Sequence, residues 1–132
     1  MSYHFRLETV QKVRVNTRDE RRRTLSEVLQ TEEEISSEIE KTNIEIRKCL
    51  RDREAIANSG IIPIEKFLQI QRHEAQLRDR LQRLKEKRTN IQNDVEIQRK
   101  SLQEADIAVK TLEKLDERQR RSYEENQLRR VA

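Results

Sequence analysis

Apolar residues recur along this chain at alternating spacings of three and four, and that alternation holds across two long segments separated by one turn signal. The first stripe reads Leu25, Val28, Glu32, Ile35, Ile39, Thr42, Ile46, Cys49, Arg53 and Ile56. The second reads Phe67, Ile70, Glu74, Leu77, Leu81, Leu84, Arg88, Ile91, Val95, Gln98, Leu102, Ala105, Val109 and Leu112. A seam of this period is the signature of a coiled coil, in which one stripe of each helix faces its partner. Composition agrees with it. The chain is 41% charged and 3% aromatic, too polar for an ordinary globular core, so folding has to proceed through a narrow apolar seam. High charge alone also describes a disordered chain. One Gly and one Pro in 132 residues argue against disorder and against a turn-rich β fold, and disorder would not preserve a register.

The turn signal is Asn58-Ser59-Gly60-Ile61-Ile62-Pro63. Gly60 suits the left-handed position just beyond a helix, with Ile61 as the apolar residue that often follows. Pro63 suits the first position of a new helix, because it has no amide hydrogen to lose, whereas Ile62 is a poor N-cap. The expectation is a single all-α domain over 1–132, two long helices forming an antiparallel coiled-coil hairpin. The first helix runs over about 5–57, the turn over 58–63 and the second helix over about 64–129. At ~1.5 Å rise per residue the helices are about 80 Å and about 95 Å long, and the second overhangs the first by about a dozen residues.

Folding about this turn sets Ile46 opposite Leu77, Thr42 opposite Leu81, Ile39 opposite Leu84 and Val28 opposite Val95. The polar seam residues then become intelligible as cross-strand ion pairs, Glu32 with Arg88 and Arg53 with Glu74, which penalise a slipped register more than they stabilise. The end near the termini is matched less well. Its first-helix seam positions are Arg14, Arg18 and Arg21, facing Val109, Ala105 and Leu102, while Leu7, Val10 and Val13 drift around the helix. Weak zipping is expected there.

Catalytic chemistry finds no purchase. A phosphate-cradling loop needs several glycines, and only Gly60 is present. Cys49 and His73 come close in this register, but Cys49 sits on the seam, where a lone thiol behaves as a small hydrophobe. No cofactor, metal or small-molecule substrate is expected, and paired carboxylates on a charged rod have no cavity to desolvate them. Arg21, Arg22 and Arg23 form a basic run, yet a net charge of +4 without a recognition motif argues for a solvated face over a nucleic-acid site. A single cysteine fits a cytosolic compartment, and neither a signal peptide nor a membrane span is expected.

More informative are the apolar residues that leave the stripe. Ile61, Ile62, Ile64 and Leu68 gather around the turn outside the seam, and Ile44 points outward. Turn packing accounts for such residues; so does a contact patch at the hairpin tip.

The opening Phe5-Arg6-Leu7-Glu8-Thr9-Val10-Gln11-Lys12-Val13-Arg14, the run Arg18-Asp19-Glu20-Arg21-Arg22-Arg23, Phe67-Leu68 with Ile70, Leu77 and Leu81, and Leu112-Glu113-Lys114-Leu115 together resemble the FliJ family of the bacterial flagellar export apparatus. The likeness spans nearly the whole chain, though the C-terminus is short, which puts tail-dependent contacts in doubt. The resemblance implies a soluble cytoplasmic stalk of the type III export machine, peripheral to the inner membrane at the flagellar base. Its terminal end would engage a hexameric export ATPase, its hairpin side the membrane export gate, and it would escort export chaperones. The residues placed for the ATPase contact are Phe5, Arg6, Leu7, Val10, Arg118, Arg120 and Arg121; those for the gate are Ile61, Ile62, Ile64 and Leu68. Two other readings stay open, the stalk of a virulence-type secretion system and a basic coiled-coil adaptor for nucleic acid.

Overall fold

A computed structural model describes residues 2–61 and 63–131. Two helices, α1 (Glu8–Asn58) and α2 (Ile64–Val131), make an antiparallel hairpin. The chain divides into two compact units, one built from residues 28–94 around the turn and one from 1–27 with 95–132.

In the turn-proximal unit the heptad stripe holds at every step. None of the seam positions from Val28 to Ile56 or from Phe67 to Ile91 is exposed, and Ile39, Thr42, Ile46, Cys49, Glu74 and Leu77 are fully buried. Ile46, Cys49 and Leu77 form one cluster with Leu50, Ile70 and Leu81 packed against it, which is the register expected from the sequence. The buried hydroxyl of Thr42 donates to the Glu38 carbonyl at 2.8 Å, so this polar seam residue leaves no orphan donor.

One of the two expected seam ion pairs forms. Arg53 donates to Glu74 at 2.9 Å, and Arg78 reaches the other oxygen of the same carboxylate at 3.0 Å. Glu32 and Arg88, both half-buried, make no ion pair with each other. Instead Glu38 pairs with Arg80 across the helices at 2.9 Å, from positions that flank the seam and keep both groups partly in water.

The turn follows the glycine logic. Gly60 has φ 75°, the left-handed conformation that favours a residue without Cβ. The Ser59 hydroxyl lies 2.7 Å from the Ile56 carbonyl and 2.9 Å from that of Ile61. Pro63 is the residue just before α2 and not its first helical position. Its carbonyl accepts from the Phe67 amide at 3.0 Å, so it caps α2 from outside and Ile64 is the first helical residue. Ile62 lies outside the described residues.

The terminal unit departs most from expectation. Helix α1 begins at Glu8 and not near residue 5: the Leu7 carbonyl accepts its first bond, from Gln11 at 2.9 Å, and the Glu8 amide turns back to the Phe5 carbonyl at 3.2 Å. Glu8 then sits favourably in the first turn, where the amide ends attract negative charge. The seam is also re-aimed. Arg14 and Arg21 are exposed, while Gln11, Val15, Arg18 and Leu25 turn inward. Val15 replaces its neighbour Arg14 because desolvating an unpaired guanidinium costs far more than a small rotation of the stripe. From α2, Val95, Val109 and Leu112 are buried and Leu102 and Ala105 half-buried. The buried Oε1 of Gln98 has no hydrogen-bond partner among the described residues.

Candidate partner-binding site

Two surfaces carry the residues that the sequence marks for partners, one in each unit. Around the turn, Ile61 is 78% exposed, Ile64 71% and Leu68 40%. None of them belongs to the buried cluster, whose members are Ile46 and Cys49 of α1 and Leu77 of α2. A carboxylate, an amide and a guanidinium share the surface around Leu68, from Glu65, Gln69 and Arg72. Exposed apolar side chains thus stand around the turn, with polar groups beside Leu68.

In the terminal unit the expectation of weak zipping is corrected. The segment ahead of α1 folds against α2 as a short strap. Phe5, expected to be available to a partner, is 5% exposed. The Tyr3 hydroxyl donates to the Asp116 carboxylate at 2.7 Å. The Arg120 guanidinium stacks over the Tyr3 ring, 4.9 Å from its centroid, and the Tyr123 ring lies 5.7 Å away at an angle of 50°. The shallow cleft at this end is lined by Tyr3, Phe5, Gln11, Asp116 and Arg120. Loss of water around the phenol, then the hydrogen bond and negative charge of Asp116, raise the Tyr3 pKa, with Arg120 opposing.

The arginines named for this end therefore differ. Arg120 is committed to Tyr3, and Arg121 bonds Glu117 at 2.7 Å one turn earlier. Arg6 and Arg118 are exposed, Val10 is 40% exposed, and Leu7 is half-buried. Sequence reasoning passed over Tyr3, Asp116 and Tyr123. One signal was there: the chain has only two tyrosines, one near each terminus, and an antiparallel hairpin brings those ends together.

Elsewhere the chemistry is quiet. Among the described residues no group of three or more His, Cys, Asp or Glu could hold a metal ion, and no helix is long and apolar enough to cross a membrane. Burial, followed by the negative charges of Asp52, Glu74 and Glu45, raises the Cys49 pKa, which keeps the thiol protonated and poorly nucleophilic.

Comparison with known proteins gives one finding. A family profile described as the flagellar FliJ protein matches residues 3–130. Neither a curated protein nor a solved structure matches the chain.

Proposed function

The chain belongs to the FliJ family of flagellar proteins, a component of the flagellar export apparatus, and on that premise we propose that it is the stalk between the hexameric export ATPase and the membrane export gate. It works by binding, at the cytoplasmic side of the inner membrane, and escorts export chaperones. The turn end meets the gate through Ile61, Ile62, Ile64 and Leu68. The terminal end meets the ATPase through Arg6, Leu7, Val10 and Arg118, with Phe5, Arg120 and Arg121 holding that end in shape.

The observation that carries this reading is the exposed apolar patch of Ile61, Ile64 and Leu68, which has no part in the seam. Burying each such side chain under a partner is worth ~1.5–3 kcal/mol. Leu68→Glu is the test, because it alters the patch without emptying the core. Helicity and melting temperature stay near wild type, while binding to the cytoplasmic part of the gate weakens and motility falls. Normal gate binding by a folded variant would remove the patch from the reading. For the other end, co-purification with the ATPase and its turnover with and without this protein give the corresponding measurement. The family description favours the flagellar machine over its virulence counterpart, and nothing observed favours nucleic acid.

A further inference from the structure

The two flanks of the seam in the turn-proximal unit differ in a way that neither the fold nor the proposed contacts require. Numbering the heptads from the seam (Glu32 and Glu74 at a), Glu38, Glu45 and Asp52 occupy g on α1, and Lys66, His73, Arg80 and Lys87 occupy g on α2. In an antiparallel pair g faces g, and Glu38–Arg80 at 2.9 Å fixes that register; it also sets Glu45 opposite His73 and Asp52 opposite Lys66. This flank carries acid opposite base and closes through Glu38–Arg80.

The e flank does not. On α1 it presents Leu50, with Arg47 at b and Ile44 and Arg51 at f on the adjoining outer face, and these four line an open depression. Ile44 is 48% exposed. From α2 comes Arg78, whose bond to Glu74 is shared with Arg53, so two guanidiniums face one carboxylate and a positive charge is left over. Arg47 and Arg51 form no ion pair among the described residues. Glu40 and Glu54 sit one heptad to either side of Arg47, which confines the basic, apolar-floored stretch to about two turns.

From this asymmetry we infer that the e flank at Ile44–Arg51 and Arg78 is a docking groove for an acidic amphipathic helix of a different protein. Apolar side chains of the incoming helix cover Ile44 and Leu50, and its carboxylates meet Arg47, Arg51 and the uncompensated charge at Arg78. A second copy of this chain is disfavoured through the same flank, because like charges would meet. The site is distinct from the turn patch and holds whatever the larger machine turns out to be.

The test uses the full chain and two stapled helical peptides with the same leucine stripe, one flanked by glutamates and one by lysines. Fluorescence anisotropy should show the glutamate peptide binding at least about tenfold tighter than the lysine peptide, equivalent to ~1.4 kcal/mol. Arg47→Glu with Arg51→Glu should abolish that preference, and Ile44→Ser should weaken the glutamate peptide severalfold. The same charge change on the closed flank, Lys66→Glu with Lys87→Glu, should leave the preference in place. Circular dichroism melts verify that each variant is folded. Equal binding of both peptides, binding of neither, or equal loss from charge reversal on either flank overturns the proposal.

Discussion

Arg53 and Glu74 meet at 2.9 Å inside the seam, and Glu74 is the one charged side chain among the fully buried residues described. Its carboxylate is held from both helices, by Arg53 of α1 and Arg78 of α2. A charge taken out of water in this way is tolerated only because both oxygens are satisfied, and it specifies register more than it adds stability.

Removing only the acid therefore costs more than removing the pair. Glu74→Ala leaves Arg53 facing an apolar layer, and because that arginine is partly solvated the loss is about 1–2 kcal/mol. Glu74→Leu combined with Arg53→Leu should restore or exceed wild-type stability in urea unfolding. A double-mutant cycle on Glu32 and Arg88, which do not pair, should give coupling near zero.

At the other end of the molecule, Tyr3→Phe removes the hydrogen bond to Asp116 while keeping the ring under Arg120. Strap opening, read by hydrogen exchange at the amides of residues 5–8, should rise severalfold. The pH dependence follows from the raised Tyr3 pKa. A group whose folded pKa lies above its unfolded value stabilises fully below the unfolded pKa, and that stability is lost as pH rises through the folded pKa. The Tyr3 contribution is thus fully present below the ordinary tyrosine value of 10.0 and is lost as pH rises above it. Ultraviolet titration should show one phenol ionising late, and Tyr3→Phe should remove that phase.

Gly60→Ala separates backbone strain from crowding. A Cβ at Gly60 meets nothing within 4 Å, yet φ is +75°. The expected loss is ~1–2 kcal/mol from the left-handed conformation alone, seen as a lower urea midpoint with unchanged slope.

Leu77→Ala opens the cluster shared with Ile46 and Cys49. The cost is about 2–3 kcal/mol, at the low end for buried leucine because a two-helix seam can partly collapse around the gap. The matching substitution at exposed Ile64 should leave the melting temperature unchanged.

Much of this protein is settled by short-range pattern. The three-four alternation places the seam because helix geometry is fixed at 3.6 residues per turn, and every seam position from Val28 to Ile91 is at least half-buried. The turn follows from Gly60, the only residue type that takes a positive φ without strain. Ile61, Ile64 and Leu68 could be marked as outside the seam from spacing alone.

What the pattern leaves undecided is settled by contacts between residues far apart in sequence. Arg14 and Val15 compete for one inward position, and the choice depends on the desolvation of a guanidinium against apolar α2. Glu32 and Arg88 are as well placed by spacing as Arg53 and Glu74, but only the second pair reaches bonding distance. The strap is the clearest case. Tyr3 and Asp116 are 113 residues apart. Asp116 continues the α2 stripe four residues after Leu112, but Tyr3 precedes α1 and lies on no helix, so their pairing exists only once the antiparallel fold has brought the two ends of the chain together.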